Sequence, residues 1–365
     1  MKTIAVVAPF PNPHFLDIFG SPEFTAKWNV DRFCFRSLPA HRQGLGWTEA
    51  SFKKLSSQYL HLPKTQKAVA GYSTVIYYGA IDPKCIPAAM MWCSLKRGQR
   101  TILVTEGIRH RHARWRSLGF SLLLNHPKLE ILAIGDRSSE DFRLAGLTKP
   151  IYRKFGFFEN YPADVKTDPC PEDTCRILSV GQLIDRKNFL SIVYSLQRIA
   201  EKLTQRIVYT ICGEGIQRSE IESENKKLPK HIEVRLAGNC NSQQLDHHFR
   251  NADIFAMPST YDGWGVVLNQ GVHYCLPILV SSGVRAARDH LVKNNFNGFI
   301  YDNQDELDRD LTKLILDRSL RQQFATNCQL VASAWHIDSV AKNLARLISQ
   351  ADLEIDDPLA PLGIV

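Results

Sequence analysis

Short apolar runs recur along the chain, and between them lie stretches in which an apolar residue returns every three or four positions. In the first half the runs at 3–8, 74–78, 101–104 and 131–134 predict buried parallel strands, and the periodic stretches at 86–96, 113–125 and 138–144 predict helices. The second half starts the alternation again, with strands at 176–180, 207–212, 232–236, 254–257 and 277–281 and helices at 189–203, 216–227, 242–251 and 265–274. An acidic helical stretch at 304–317 follows. This pattern predicts an α/β chain with two Rossmann-like, doubly wound parallel sheets.

Between the two series, residues 161–175 turn to Pro162, Pro169 and Pro171 among acidic and polar neighbours, a linker composition. The predicted domains are therefore 1–168 and 172–333 of a 365-residue chain, each long enough to bury its own core. The last periodic stretch, 337–349, comes after the second sheet is complete. The tail from about 335 to 365 is therefore expected to pack back on the first domain.

An apolar share of 44% with 22% charged residues excludes a disordered or fibrous chain. The nine cysteines are scattered and form no C-x-x-C pair, so neither a zinc knuckle nor a redox dithiol is expected, and a reducing cytosol suits them. No run approaches the roughly 18 apolar residues of a membrane span, and the first run ends in Pro-Asn-Pro, as a strand does and a secretory leader does not. A cytoplasmic protein is expected. Its formal charge of +8 is unevenly placed: residues 1–168 hold 24 Lys+Arg against 13 Asp+Glu, and residues 169–365 hold 21 against 24. A basic first half implies an anionic surface, substrate or polymer on that side.

Two segments carry candidate chemistry. Residues 258–270, Pro-Ser-Thr-Tyr-Asp-Gly-Trp-Gly-Val-Val-Leu-Asn-Gln, follow a strand and open a helix. The backbone N–H groups of Gly263, Trp264, Gly265 and Val266 would then meet a phosphate at a helix N-terminus. Asp262 and Gln270 would grip hydroxyls on either side of it; the plainer alternative makes Asp262 the helix N-cap. Residues 179–188 run from strand into loop, with Gln182, Arg186 and Lys187 just beyond a strand's carboxyl end, where open α/β sheets bind ligands. Gly213-Glu214-Gly215 is a third turn of this kind.

Taken in order over about residues 176–302, VGQLIDRKN, ICGEGIQRSEIE, VRLAGNCNSQQLDHHFRNADIFAMPS, YDGWGVVLNQGVHYCLPILVSSG and NNFNGFIYD resemble the retaining glycosyltransferases of family 4. That resemblance implies the GT-B fold, with two Rossmann-like domains facing across a cleft, an acceptor domain first and a nucleotide-sugar donor domain second. It implies that Lys187 holds the donor diphosphate, that Asp262 and Gln270 stand where the family has two glutamates, and that Asp262 contacts the donor sugar. Gln182 replaces the family's usual arginine, and Gln270 lacks a carboxylate's charge. The implied activity is hexosyl transfer from a nucleotide-sugar to a glycan or lipid-linked acceptor, in bacterial surface polysaccharide assembly, with no metal or other cofactor. A noncatalytic nucleotide-sugar-binding subunit and a nucleotide-sugar epimerase are the alternatives.

In the first half, Asn12 and His14 follow the first strand and are candidates to meet the acceptor. Glu106, Arg109, His110, Arg111, Arg114 and Arg116, interleaved with Trp115 and Phe120, compose a basic interfacial segment for an acceptor or an anionic membrane face. A peripheral place on the inner face of the cytoplasmic membrane follows from it. His110 and His112 have no third ligand at metal spacing. No nucleic-acid partner is expected.

Overall fold

The computed structural model describes residues 2–9, 17–36, 58–59, 62–79, 81, 86, 88–105, 117–149, 152–156, 171, 173–286, 290–349 and 363–364. The chain divides into two compact units, Met1–Phe158 with Trp335–Val365, and Glu159–Ala334.

Seven strands of the first unit run parallel: β1 (Lys2–Ala8), β2 (Trp28–Cys34), β3 (Gln58–Tyr59), β4 (Thr74–Tyr78), β5 (Arg100–Thr105), β6 (Leu129–Ile134) and β7 (Tyr152–Phe155). Their order is β7-β6-β5-β4-β1-β2-β3, and Gly363–Ile364 adds an antiparallel pair on β7. Residues 4–8 of β1 are buried throughout, the continuous apolar run of a strand covered on both faces. β2 escapes the strand pattern because Asn29, Asp31 and Arg32 interrupt its apolar residues.

The helix Ile337–Ile348 packs against Pro22–Thr25 and the turn Asp17–Gly20. Arg100 of β5 fixes its end. The guanidinium donates to the carbonyls of Ile348 (2.6 Å) and Leu347 (2.9 Å) while pairing with Glu130 of β6 at 2.6 Å. A cation at a helix C-terminus meets carbonyls that have no partner within the helix.

Among the described residues the second unit has six parallel strands, β8 (Thr174–Val180), β9 (Arg206–Cys212), β10 (Ile232–Gly238), β11 (Ile254–Met257), β12 (Ile278–Ser281) and β13 (Gly298–Tyr301), in the order β10-β9-β8-β11-β12-β13. The chain moves outward one way from β8 and the other way from β11, so these two neighbours form a topological switch point, the place where open sheets receive ligands at their carboxyl ends. On one face the helix Phe189–Ile199 buries Phe189, Ile192, Val193, Leu196 and Ile199, a stripe at helical spacing. The helix Arg318–Ala334 follows the acidic helix Gln304–Leu316; Phe324, Cys328 and Val331 form its inner stripe among mostly polar residues. Among the described residues no helix is long and apolar enough to cross a membrane.

The loops at the carboxyl ends of β8 and β9 lie backbone on backbone. Gly181 N–H donates to Cys212 O at 2.9 Å and Leu183 N–H to Glu214 O at 2.9 Å. Gly213 has φ +152°, and a Cβ there would stand 1.9 Å from the carbonyl oxygen of Gly181. Both the conformation and the close approach require glycine. Gly213→Ala is expected to destabilise the chain by about 2 kcal/mol or more, and Gly71→Ala, where a Cβ meets nothing within 4 Å, by well under half of that. Urea denaturation of the two variants side by side checks this; equal losses would contradict the loop packing.

Candidate functional site

The site is assembled by the loops after β8 and β11. The β8–β11 ladder is short, pairing Ile177 with Ile254 and Leu178 with Phe255, and the strands part beyond it. Ser179 holds them together one step further, its buried hydroxyl donating to Ala256 O at 2.6 Å and accepting from the Tyr209 hydroxyl at 3.0 Å. Burial pushes the Tyr209 phenol well up, so it remains a donor.

Past Val180 the chain enters the turn Asp185–Lys187 and then Asn188, whose left-handed conformation (φ 53°) lets the helix at Phe189 begin. This turn presents two adjacent cations to one carboxylate. Lys187 Nζ donates to Asp262 Oδ2 at 2.7 Å and Arg186 to Asp262 Oδ1 at 3.0 Å. Arg186 also donates to Tyr261 O at 2.7 Å, while Thr260 N–H donates to Arg186 O at 2.9 Å. Lys187 and Asp262 are largely buried, at 13% and 14% side-chain exposure, whereas Arg186 is 41% exposed. Two cations against one carboxylate leave one excess positive charge at the carboxyl end of the switch point, a setting suited to an anion.

Asp262 is fixed from a third side by the loop after β12, with its N–H donating to Gly283 O at 3.1 Å. In that loop the Arg285 guanidinium lies 5.3 Å from the ring of Tyr261. Arg285 was not among the sequence candidates; its position just past the end of β12 is the signal that marks it.

Two expectations for the 258–270 segment are corrected, the start of the helix and the N-cap alternative for Asp262. The helix begins at Val267, not Gly265, so Asp262 stands five residues before it and serves as an ion-pair partner, not as the N-cap; the residue at the cap, Val266, makes no side-chain cap bond. The side chain of Trp264 is buried, and its indole N–H donates to Asn269 Oδ1 at 2.8 Å, so its backbone alone is left for the expected contact. Gln270 stands in the first turn of the helix, half-buried.

Gly263, Gly265 and Val266 remain half-buried between Asp262 and the helix, and Gly265 takes φ +89°. Gln182 is exposed on the Lys187 loop. Gly213 supports that loop from below, as described above, while beside it Glu214 pairs with Arg218 at 2.6 Å. Asp308 and Asp310 are structural: Asp308 binds Arg198 and Ser195, each at 2.6 Å, and Asp310 pairs with Arg309. Asn12, His14, Glu106, Arg109, His110, Arg111, Arg114 and Arg116 lie outside the described residues.

Comparison with known proteins agrees with this architecture. The model of the family described as Glycosyl transferases group 1 matches residues 162–330. The amylovoran biosynthesis glycosyltransferase of Erwinia amylovora is 27% identical over 153 residues, 41% of this chain and 41% of that protein. A Campylobacter jejuni protein named as a GalNAc-alpha-(1->4)-GalNAc-alpha-(1->3)-diNAcBac-PP-undecaprenol alpha-1,4-N-acetyl-D-galactosaminyltransferase is 19% identical over 303 residues, covering 82% of this chain and 81% of that one. Two of the curated relatives are thus matched over less than half of their own length, 44% and 41%. Among solved structures, Anabaena HepE in complex with UDP shares the fold at a TM-score of 0.70, with 13% identity, over 96% of this chain and 100% of that one. The fold is the GT-B fold of these solved structures, and residues 162–330, just under half of the chain, are similar to the family Glycosyl transferases group 1.

Proposed function

We propose that the chain is a retaining glycosyltransferase of family 4 that moves a hexosyl group from a nucleotide-sugar to a glycan or lipid-linked acceptor. The observation that carries this reading is the Lys187–Asp262–Arg186 cluster at the switch point of the second sheet. It offers cations for a diphosphate and, between them, a carboxylate for a sugar hydroxyl. Supporting it, a protein of the same fold has been solved with UDP. The relatives from Campylobacter and Erwinia are named for an undecaprenol-linked saccharide and for amylovoran biosynthesis, which favours assembly of a bacterial surface polysaccharide.

In this reading the acceptor attacks from the face the leaving group departs, and the departing phosphate takes the acceptor's proton. The protein's part is positioning and charge stabilisation. Lys187 and Arg186 meet the negative charge that grows on the diphosphate as the glycosidic bond breaks, and Asp262 orients the sugar. The half-exposed Arg186 supplies positive charge where Gln182 replaces an arginine. Gln270 binds a ribose hydroxyl through its amide. If the chain were instead a noncatalytic nucleotide-sugar-binding subunit, as the neutral Gln182 and Gln270 would allow, it would bind donor without slowly releasing free sugar.

Lys187 and Asp262 are expected to fail differently when replaced. Lys187→Ala should lower kcat by about 10²–10³ and weaken binding of the nucleotide product. Asp262→Asn should lower sugar turnover while affinity for the free nucleoside diphosphate stays close to wild type. Steady-state kinetics with calorimetric titration of the product separates them; the reverse pattern would mean that the donor lies the other way round.

Because two side-chain cations stand at the diphosphate position, transfer is expected to need no magnesium or manganese. Loss of turnover in EDTA that either ion restores would contradict this.

We further propose peripheral binding to anionic membranes through Arg109, Arg111, Arg114 and Arg116, with Trp115 and Phe120 entering the interface. Cosedimentation with anionic vesicles should fall as salt is raised, since exposed charges are screened over about 8 Å at physiological ionic strength. Binding that survives replacement of all four arginines would rule the segment out.

A further inference from the structure

Next to the Gly213 turn that packs on the Lys187 loop, the fold gathers three metal-ligating side chains that are distant in sequence. Cys212 ends β9, Cys240 lies in the loop after β10, and His248 is on the helix Ser242–Arg250; their ligand atoms all lie within 4.8 Å of one another. The elements that carry them are fixed independently. β9 and β10 are paired along their length, a bridge joins Gly213 to Gly238, and the helix starts from a capping box between Asn241 and Gln244. We propose that Cys212, Cys240 and His248 form a binding site for a divalent metal ion of the zinc class, with water in the fourth position.

The donor set is that of zinc, two sulfurs and an imidazole around a borderline-soft ion. With zinc–sulfur bonds of about 2.3 Å, tetrahedral ligation puts the sulfurs about 3.8 Å apart, so the observed cluster closes on an ion with shifts of about 1 Å or less. Cys212 is buried and Cys240 and His248 are half-buried, with His248 on a groove of about 500 Å³ beside Leu236 and Ala237. Binding releases the thiol protons to solvent and leaves two thiolates on the metal. This site stands apart from the Lys187 cluster and does not depend on the glycosyltransferase reading. It does share a backbone with it, since Cys212 precedes the Gly213 that packs on the Lys187 loop.

The test uses the full chain under a phosphine reductant, titrated with cobalt(II) and then with zinc. One equivalent of cobalt should give a thiolate-to-metal charge-transfer band and the visible bands of a four-coordinate ion, zinc should displace it, and zinc should raise Tm. Cys240→Ser and His248→Ala should each weaken zinc binding at least tenfold, and Cys93→Ser, outside the cluster, should leave it unchanged. Cobalt binding without thiolate bands, or Cys240→Ser and His248→Ala binding zinc as tightly as wild type, would overturn the proposal. A Cys212–Cys240 disulfide that persists under the reductant and excludes metal would do so as well.

Discussion

A single carboxylate, that of Asp262, ties the loop after β8 to the loop after β11 at the point where those two strands have stopped pairing. Beyond Leu178 and Phe255 the ladder hydrogen bonds end, and Ser179 carries the connection for one more step. From there the two loops are joined by Asp262 to Lys187 and Arg186, by the Thr260 N–H donating to the Arg186 carbonyl, and by the Arg186 guanidinium donating to the Tyr261 carbonyl. A largely buried pair is costly to break from one side, because that leaves an uncompensated charge. The geometry of the cations is thus set by the same carboxylate that would meet the sugar.

The constraint reaches outward through glycine. Gly213 brings the end of β9 against the Lys187 loop more closely than any side chain permits, and Gly283 does the same for the loop after β12, where a Cβ would lie 2.2 Å from Thr260 O. The ends of β9 and β12 therefore reach the loops of Lys187 and Asp262 by backbone contact. Charge is placed precisely in such a setting because the groups that carry it have little room to move.

Most of this was legible in the sequence where buried strands read as continuous apolar runs: β4 and β11 appear at their observed bounds, and Lys187 was placed beyond a strand from its local context alone. What was not legible has physical reasons. β2 mixes charged residues into its strand, and the helix Arg318–Ala334 hides its stripe of Phe324, Cys328 and Val331 among polar neighbours. The start of the helix at Val267 depends on Gly265 taking a left-handed turn, which no periodicity encodes. The pairing of Asp262 with Lys187, and the gathering of Cys212, Cys240 and His248, join residues far apart in the chain. Only the strand order brings them together, so a spacing rule such as C-x-x-C passes over the cysteines.

The most direct measurement is a calorimetric titration series on the intact chain with a nucleoside, its monophosphate, its diphosphate and the matching nucleotide-sugar, repeated at two salt concentrations. If Lys187 and Arg186 receive the diphosphate, affinity should rise about tenfold to a hundredfold when the second phosphate is added, and the gain should shrink as salt is raised. Equal affinity for the nucleoside and its diphosphate, unaffected by salt, would show that these cations do not face the ligand.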